Sequence, residues 1–529
     1  MRFLLIVLLC LGCLFRLAQL DHKIYWYDET FTSLRAAGYT EAEVVQHFAN
    51  SEVIRPADLQ FYQQPSPERD LGSTLYSLAS EDNQHPPLYY GIAHFWMRWV
   101  GDSIAIQRLL PALFSLLSFP AAYWLCQELF VKTSEFSAAL PAWIMVSLLA
   151  ISPFQIAYAQ ENRQYSLWSA LTLLSTAALL RALRVQGQAN WLLYGATVAL
   201  SCYTFLLAGL TVFGHGLYVL LQGKLSRMRS FLGAALVGGL AFAPWVWVLG
   251  QNLNQAQTVT SWMNAEQSLP KLVTTWMNIA TRVFYDRGKE PLDRLVQLIF
   301  LVLILYAFYY LVRYAARSVW LLIVTLTLAS SLPLMLADLV LGGVRSTAPR
   351  FLVPTLLGLQ LAVAYLFSAK LARPHPKFVT WWRGLAAVLC CISLYACWFA
   401  FQLPTWWNKT HNVENFAITE LVEQSSRPLI VSDAETGDLL ALSYVLPAST
   451  DLLIRPRCYT CRIDAPASLV LPGALTQIAG QYSDLFLFHP RSDQAWQQSL
   501  EQVQGLRLEP TSIRGYADRP AFWKLVPNR

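Results

Sequence analysis

Charged residues are scarce in this chain: 14% of its 529 residues are Asp, Glu, Lys or Arg, whereas 55% are hydrophobic. Soluble domains carry about 25% charged residues, so this shortage excludes a soluble globular enzyme and indicates a polytopic membrane protein. The net charge is only +6, and the basic residues fall mostly in short loops between apolar segments. We therefore expect no nucleic-acid partner. Internal repeats and low-complexity tracts are lacking as well, which excludes a repeat array.

Cysteine is also sparse, and most of the nine residues lie within apolar runs, where a thiol packs as a small hydrophobic group. Cys458 and Cys461 differ because they lie in a more polar C-terminal segment. In an oxidising compartment their spacing favours a structural disulfide. A redox motif would need a strand-to-helix context, and a zinc site would need two further ligands that are not evident in the sequence.

Long apolar runs are abundant, and a helix that crosses a membrane needs about 20 such residues. The first run lacks a small-residue cleavage site, so we expect a retained first helix rather than a signal peptide. The stretch 191–222 is short for two spans, so the true total can differ by about one or two from the expected eleven. The predicted spans lie near 3–20, 104–126, 137–152, 164–183, 191–206, 207–222, 231–250, 294–313, 319–340, 351–370 and 384–402.

The segment 87–100 is apolar but too short to span, because a helix of this length reaches about 21 Å and the hydrocarbon core is about 30 Å thick. It is rich in Tyr and Trp, so we expect a helix in the membrane interface. With the N-terminus in the cytoplasm, every short basic loop then falls on the cytoplasmic side, as the positive-inside rule requires. A membrane span at 87–100 would instead place all of these basic loops on the extracytoplasmic side. These loops contain Lys132, Arg181, Arg184, Lys224, Arg227, Arg229, Arg313, Arg317, Lys370, Arg373, Lys377 and Arg383.

This topology predicts two parts of the chain. Residues 1–402 form a transmembrane module, and its first extracytoplasmic loop, 21–103, is long enough to hold interfacial helices. In the loop 251–293, apolar residues recur at helical spacing, which fits either an interfacial helix packed on the bundle or a lid over a substrate. Residues 403–529 alternate short apolar runs, at 428–432, 469–471 and 485–489, with polar helical stretches such as 493–504 and predict a small soluble α/β domain.

Four polar clusters fall on the predicted extracytoplasmic side. Each has an ordinary explanation, such as helix capping by an acid or by histidine, a surface ion pair, or an arginine that snorkels at a helix end. Their convergence on one membrane face nevertheless favours a functional site, because charged side chains beside a membrane are costly to hold. The clusters are Asp28-Glu29 with Arg35, Gln84-His85-Pro86-Pro87, the run 158–165 that contains Glu161 and Arg163, and the run 345–354 that contains Arg345 and Arg350.

Carboxylates, cations and a membrane surface together suit glycosyl transfer from a lipid-linked sugar. A hydroxyl that attacks an anomeric carbon needs a general base to take its proton. A departing phosphate needs Arg, Lys, His or a metal ion to stabilise its charge. If that phosphate carries a long lipid, the site must also open sideways into the bilayer.

On these motifs the chain resembles the GT-C fold glycosyltransferases that use polyprenyl-phosphate sugars (glycosyltransferase family 39-type). The nearest branches are the protein O-mannosyltransferase-like enzymes and the aminoarabinose transferases of lipid A. Each motif is short, but their order and shared side make the match fairly specific, and they cover roughly residues 1–370. The motifs are Asp28-Glu29, His85-Pro86-Pro87-Leu88-Tyr89, Arg108-Leu109-Leu110-Pro111, Gln160-Glu161-Asn162-Arg163-Gln164-Tyr165 (the family has Gln-Glu-Ala-Arg-x-Tyr) and Arg350-Phe351-Leu352-Val353-Pro354.

The resemblance implies a role for each acid. Asp28 would be the general base that activates the acceptor, and Glu29 would support it or help to hold a metal. Glu161 would be the second acid that faces the site. Some relatives use a divalent metal, Mg or Mn, and others use none. If a metal takes part here, Asp28, Glu29 and Glu161 would be its ligands.

The resemblance also implies a group that binds the donor phosphate. His85 would lie where the family places a phosphate-contacting residue, although the aminoarabinose transferases have Lys there. Arg163, Arg345 and Arg350 would complete the group, with Tyr165 and Arg35 in supporting positions. Transfer by such a site is expected to invert the anomeric carbon.

We therefore expect a multi-pass protein of the bacterial plasma (inner) membrane with an extracytoplasmic active site. It would transfer a hexosyl or pentosyl group to a lipid, glycan or protein, and its tail, which is unlike that of either branch, leaves the acceptor open. A transporter of lipid-linked sugars is one alternative, but it would want charges at mid-span, and Asp338 is the only acid in a predicted span. A non-catalytic binder of lipid-linked glycans is the other.

Overall fold

The structure is a computed structural model that describes residues 2–50, 52–133, 136–223, 225–288, 290–373, 375–409, 411–461, 480–489, 506–515 and 520–527. Its helices are, in chain order, α1 (Arg2–Leu17), α2 (Tyr27–Ala37), α3 (Glu41–His47), α4 (Pro56–Gln60), α5 (Leu71–Glu81), α6 (Leu88–Trp99), α7 (Ile104–Phe130), α8 (Ala139–Ala150), α9 (Pro153–Ala159), α10 (Tyr165–Val185), α11 (Gln188–Thr204), α12 (Ala208–Leu221), α13 (Leu225–Gln251), α14 (Leu253–Val259), α15 (Leu269–Thr281), α16 (Pro291–Tyr314), α17 (Arg317–Leu341), α18 (Val353–Leu371), α19 (Pro376–Gln402), α20 (Asn415–Glu423) and α21 (Thr436–Ser443).

Short 3-10 helices occur at Phe48–Asn50, Phe61–Gln63, Ser261–Asn264, Arg345–Thr347 and Pro349–Leu352. The strands are β1 (Val53–Ile54), β2 (Pro428–Ser432), β3 (Asp451–Ile454), β4 (Asp484–Phe488), β5 (Leu506–Pro510) and β6 (Phe522–Pro527).

Seven of the described helices are long and apolar enough to cross a membrane, and an eighth span results if α8 and α9 are taken as one segment. These two helices are bent by 60° where Pro153, which has no backbone N–H, begins α9 behind the capping residue Ser152. The chain is thus a multi-pass membrane protein. A helix lies at each of the eleven predicted spans, but α1, α11 and α12 are shorter than 18 residues, so the count of eleven stays a prediction.

The chain divides into two compact units, and the first comprises residues 1–20, 84–89 and 108–403. Among its candidate spans, α18 and α10 are the most buried, as helices packed on all sides by other helices are. Gly358 allows α17 to approach α18 closely, since a Cβ atom there would lie 3.1 Å from the Cα atom of Thr327. By contrast α13, α16 and α19 expose most of their apolar surface, as helices in contact with lipid do.

Arg16, near the end of α1, is 1% exposed and links two helices of this unit. Its guanidinium donates to the carbonyl oxygens of Leu149 and Ala150, each at 2.7 Å, and to Ser115 Oγ at 2.9 Å. The last carbonyl groups of a helix have no intrahelical partner. The arginine therefore caps α8 and satisfies its own charge at the same time.

The second unit comprises residues 21–83, 90–107 and 404–529. It contains a six-stranded sheet of order β1-β3-β2-β4-β6-β5. The centre is parallel, with Ile430 of β2 opposite Leu452 of β3 and Phe486 of β4, and the outer pairs are antiparallel. One face carries the apolar core formed by Leu429, Val431, Leu453, Leu485, Leu487, Trp523 and Leu525.

This division groups most of the first loop, 21–83 and 90–103, with the C-terminal segment, and β1 pairs with β3 there, with Val53 opposite Leu453. The sequence-based division had placed 21–103 with the transmembrane module. The predicted α-helical membrane fold with a small C-terminal α/β domain is confirmed, as are helices within 87–100 and 251–293. The apolar run at 469–471 and the polar helix expected at 493–504 lie outside the described residues.

Gly437 offers a test of how α2 and α21 pack in the second unit. A Cβ atom at this position would lie 2.7 Å from ring atoms of Tyr27 and Phe31, both on α2. We expect Gly437→Ala to lower stability by about 1–3 kcal/mol through overpacking, seen as a lower Tm in detergent. Gly384→Ala is the matched control, because a Cβ atom there meets nothing within 4 Å. Equal Tm values for both variants would contradict this packing.

Candidate functional site

Helix α2 carries the first acidic pair, Asp28 and Glu29, in its first turn. The N-cap residue is Trp26, which makes no side-chain cap, so Asp28 is not the capping residue that the sequence allowed as its ordinary explanation. Carboxylates in a first turn are favoured by the helix dipole. Asp28 is partly exposed, whereas Glu29 is fully buried. The two neighbours therefore occupy very different surroundings.

Glu29 forms a buried ion pair with Lys409. The Lys409 Nζ atom lies 2.6 Å from Glu29 Oε2, and the two side chains are 1% and 0% exposed. Sequence reasoning missed Lys409, although a basic residue after the last apolar segment, on the predicted extracytoplasmic side, departs from the positive-inside trend in the same way as Arg345.

This ion pair bears on the metal that the family resemblance allowed. An ammonium group already neutralises Glu29, so a divalent cation on the same carboxylate would face a like charge. Among the described residues, the metal-type side chains that cluster closely are Glu41, Cys458 and Cys461. The structure pairs the two cysteines in a disulfide, which leaves no thiolate to bind a metal. Glu29, one of the three predicted metal ligands, therefore does not fit a metal, and we derive no step through one.

Glu435 and Asn412 hold Tyr27, the first residue of α2. The Tyr27 hydroxyl donates to Glu435 Oε2 at 2.9 Å, and its backbone N–H donates to Asn412 Oδ1 at 2.9 Å. Tyr459 lies near Glu435 and Asp28; burial raises the pKa of Tyr459 to about 12, and these two carboxylates act in the same direction. The surroundings of Asp28 are thus aromatic and acidic.

Arg35, for which the sequence predicts a supporting position, lies at the other end of α2. Its buried guanidinium pairs with Glu81 at 2.5 Å and donates to Thr460 Oγ1 at 2.7 Å. Glu41 accepts from the backbone N–H groups of Tyr459 at 2.8 Å and Thr460 at 2.5 Å, while burial raises the pKa of Glu41. These contacts fasten α2 to α5 and to the turn of the cysteine pair.

In the first unit, the predicted phosphate-binding residues His85 and Arg163 are in contact. Arg163 Nη2 lies 2.9 Å from His85 Nε2, and a guanidinium can only donate, so this ring nitrogen accepts. The loop between α9 and α10 that carries Arg163 is anchored on both sides. Gln160 donates to the Phe15 carbonyl at 2.8 Å, and Asn162 accepts from the Tyr89 hydroxyl at 2.8 Å.

Tyr165 lies between two arginines of this unit. The Arg163 guanidinium carbon is 5.9 Å from its ring centroid and that of Arg350 is 6.0 Å away. Arg350 also approaches the ring of Trp262 at 5.7 Å. The electron-rich faces of the Tyr165 ring attract both cations.

Tyr158 marks the wider group. The charged groups of Glu161, Arg350 and Arg282 all lie within electrostatic reach of its hydroxyl, as does Tyr165. The structure thus places Glu161, Tyr165 and Arg350 near Tyr158, together with Arg282, which sequence reasoning missed. Arg282 directly follows α15, inside the loop that was predicted to carry an interfacial helix or a lid.

Arg345 has different contacts from Arg350. Its Nη1 atom lies 3.3 Å from Asp338 Oδ1 and 2.6 Å from the Gly342 carbonyl, and Nη2 donates to Asn264. Asp338, the acid at the end of α17, also accepts from the backbone N–H and hydroxyl of Ser346, each at 2.6 Å. The Arg345 side chain thus closes a turn between α17 and α18.

Comparison with solved structures places this architecture. The chain superposes on ArnT from Cupriavidus metallidurans, in a crystal structure bound to undecaprenyl phosphate, with a TM-score of 0.55 and 12% identity over 98% of this chain and 97% of ArnT. It superposes on the apo oligosaccharyltransferase of Archaeoglobus fulgidus with a TM-score of 0.51 and 12% identity over 96% of this chain and 69% of that protein. The chain has the GT-C fold. No protein-family model matches the sequence, and no curated protein matches it significantly.

Asp286 offers a test of the electrostatics beside Arg282, from which it is separated by 3.6 Å. Burial raises the pKa of Asp286 from 3.8 to about 7, and the arginine offsets this only in part. The folded state therefore binds the proton more tightly than the unfolded state, and the stability that this adds is lost as the pH rises from about 4 to about 7. Asp286→Asn, a neutral isostere, should gain Tm relative to the unmodified protein across this window.

Thermal unfolding in detergent at several pH values measures this difference. Glu266→Gln, which removes an exposed acid from the same loop, is the control and should follow the unmodified protein at every pH. A constant Tm difference between Asp286→Asn and the unmodified protein would contradict the raised pKa.

Proposed function

We propose that this chain is a membrane glycosyltransferase that transfers a sugar from a polyprenyl-phosphate-linked donor to an extracytoplasmic acceptor, with inversion. The observation that carries the proposal is that Arg163 and Arg350 both lie near the ring of Tyr165 and that Arg163 also contacts His85. Arginine suits phosphate because its planar fork of N–H donors matches phosphate oxygens. The shared fold with ArnT, whose crystal structure holds undecaprenyl phosphate, supports a lipid-linked donor.

In the proposed reaction, Asp28 takes the proton of an acceptor hydroxyl as its oxygen attacks the anomeric carbon. The bond from that carbon to the donor phosphate oxygen breaks, and the phosphate leaves on its lipid with one more negative charge. Arg163 and Arg350, with His85, stabilise that charge. Glu161 is proposed to face the site as a second acid and Arg345 to support the phosphate group from the turn before α18.

We propose that the acceptor is a lipid, a glycan or a protein. The transferred sugar is proposed to be a hexosyl or a pentosyl group. The placement in a bacterial inner membrane with an extracytoplasmic site belongs to the same proposal and rests on the distribution of basic loops. The C-terminal domain is proposed to act on that same side.

Lipid that copurifies with the protein tests the donor class. We expect mass spectrometry of the detergent-solubilised protein to detect a polyprenyl phosphate or its glycosylated form, which would name the sugar. Arg350→Met should retain several-fold less of it, because one cation is lost. Arg313→Met is the matched control, since Arg313 is exposed at the end of α16. Recovery of bulk phospholipid alone from all three proteins would argue against the proposed donor.

Asp28→Asn tests the general base. The amide keeps the shape of the carboxylate but cannot take a proton, so kcat/KM for transfer should fall by about 10²–10⁴-fold, while the Kd for the donor lipid stays unchanged. Glu68→Gln, which removes an exposed acid of the same loop, should transfer normally. Unchanged transfer by Asp28→Asn would remove Asp28 from this role, and donor binding without transfer by the unmodified protein would instead indicate a non-catalytic binder.

A further inference from the structure

Lys409 is held in place by its own turn. The turn follows α19 directly, and within it the Lys409 N–H donates to the Trp406 carbonyl at 2.9 Å and Thr405 Oγ1 donates to the Lys409 carbonyl at 3.2 Å. Trp406 is buried beside it, with 8% exposure. The backbone thus fixes the start of the lysine side chain, and burial restricts the rest of it. Its ammonium group is therefore delivered to one position, that of Glu29 Oε2.

The pairing fixes the first turn of α2. Glu29 and Asp28 are adjacent on the helix, and adjacent helical residues point in directions that differ by about 100°. When Lys409 holds the Glu29 carboxylate inside the second unit, Asp28 points toward a more exposed side of α2. The Thr32 hydroxyl donates to the Asp28 carbonyl at 3.0 Å and braces the same turn from within the helix.

The pairing also decides the charge balance of the acidic pair. Two ionised carboxylates on successive residues attract a cation, and in this structure Lys409 supplies it at 2.6 Å from Glu29. An ammonium group so close to a fully buried carboxylate repels a divalent ion that would bind the same group. The cation that pairs with Glu29 is thus a side chain of the same protein, 380 residues away in sequence.

We propose that Lys409 is a positioning residue for the acidic pair and occupies on Glu29 the place of a divalent cation, so that Asp28 and Glu29 bind no metal. The proposal rests on the proposed function only in the role of Asp28. Its stability and metal-binding consequences are independent of any transfer activity. The failure of the two proposals can therefore be told apart.

The experiment compares Lys409→Met, Glu29→Gln and the double variant in the full-length protein in detergent. Each single variant should lower the Tm, because Lys409→Met strands a buried carboxylate and Glu29→Gln strands a buried ammonium group. The double variant should lose less than the sum of the two, which measures their coupling. Strictly additive Tm losses would overturn the pairing, whatever the transfer activity.

Calorimetry with Mn²⁺ tests the metal half of the proposal. The unmodified protein and Glu29→Gln should give the same Mn²⁺ titration, because Glu29 binds no ion in either. In a separate assay, EDTA should leave the transfer rate of the unmodified protein unchanged. Binding of Mn²⁺ that depends on Glu29 would overturn the proposal. The calorimetric titration needs only the ion and the purified protein, and no transfer activity.

Kinetics separate positioning from mere stability. A loss of folded protein would lower all signals in proportion, whereas a displaced Asp28 should lower kcat by about 10²-fold with an unchanged KM for the donor. Lys409→Arg keeps the positive charge and should recover much of the lost kcat. A Lys409→Met variant that is folded and transfers at the unmodified kcat would overturn the positioning role, even if Asp28→Asn abolishes transfer.

Discussion

The compensation of buried charge is the constraint on which the rest of this structure depends. A chain with so few charged residues nevertheless buries Arg16, Glu29, Arg35 and Asp338 almost completely. An isolated ionised group out of water is very costly, so each must find opposite charge or several hydrogen bonds. Arg16 caps α8, Glu29 pairs with Lys409, Arg35 pairs with Glu81, and Asp338 binds Arg345 and Ser346. Each pairing also fixes one element against another within its unit.

Local patterns explain why much of the fold was predictable. Helix formation in apolar segments depends on residues within a few turns of one another, so hydrophobic length alone placed α7, α10, α13 and α16 to α19. The apolar spacing of 269–283 likewise predicted α15, and Pro428–Ser432 was recognised as β2. The membrane fold class followed from composition. The number of spans did not, because α11 and α12 are at the length where hydropathy alone no longer decides.

The features that sequence reasoning missed are all non-local. The pairing of β1 with β3 joins two-residue and four-residue strands about 400 positions apart, and no local signal marks so short an edge strand. Lys409 and Glu29 are equally remote in sequence. The lone lysine beside Trp406 and Trp407 was visible as an exception to the charge distribution, but its partner could be identified only once α2 and the turn after α19 were seen in one unit. Arg282 was missed for the same reason. The apolar spacing of its loop predicted α15 but not the distant residues that Arg282 approaches.

The two arginines before α18 show how the same constraint sorts equivalent candidates. Sequence reasoning treated Arg345 and Arg350 alike, since both stand at a helix start on the predicted outer side. The structure gives Arg345 an acid, Asp338, together with two neutral acceptors, so much of its charge is already balanced. Arg350 lies near the aromatic rings of Tyr165, Trp262 and Phe351, which attract a cation. Two arginines that stand alike in the sequence thus have different surroundings, because Asp338 lies within reach of Arg345 whereas three aromatic rings lie beside Arg350.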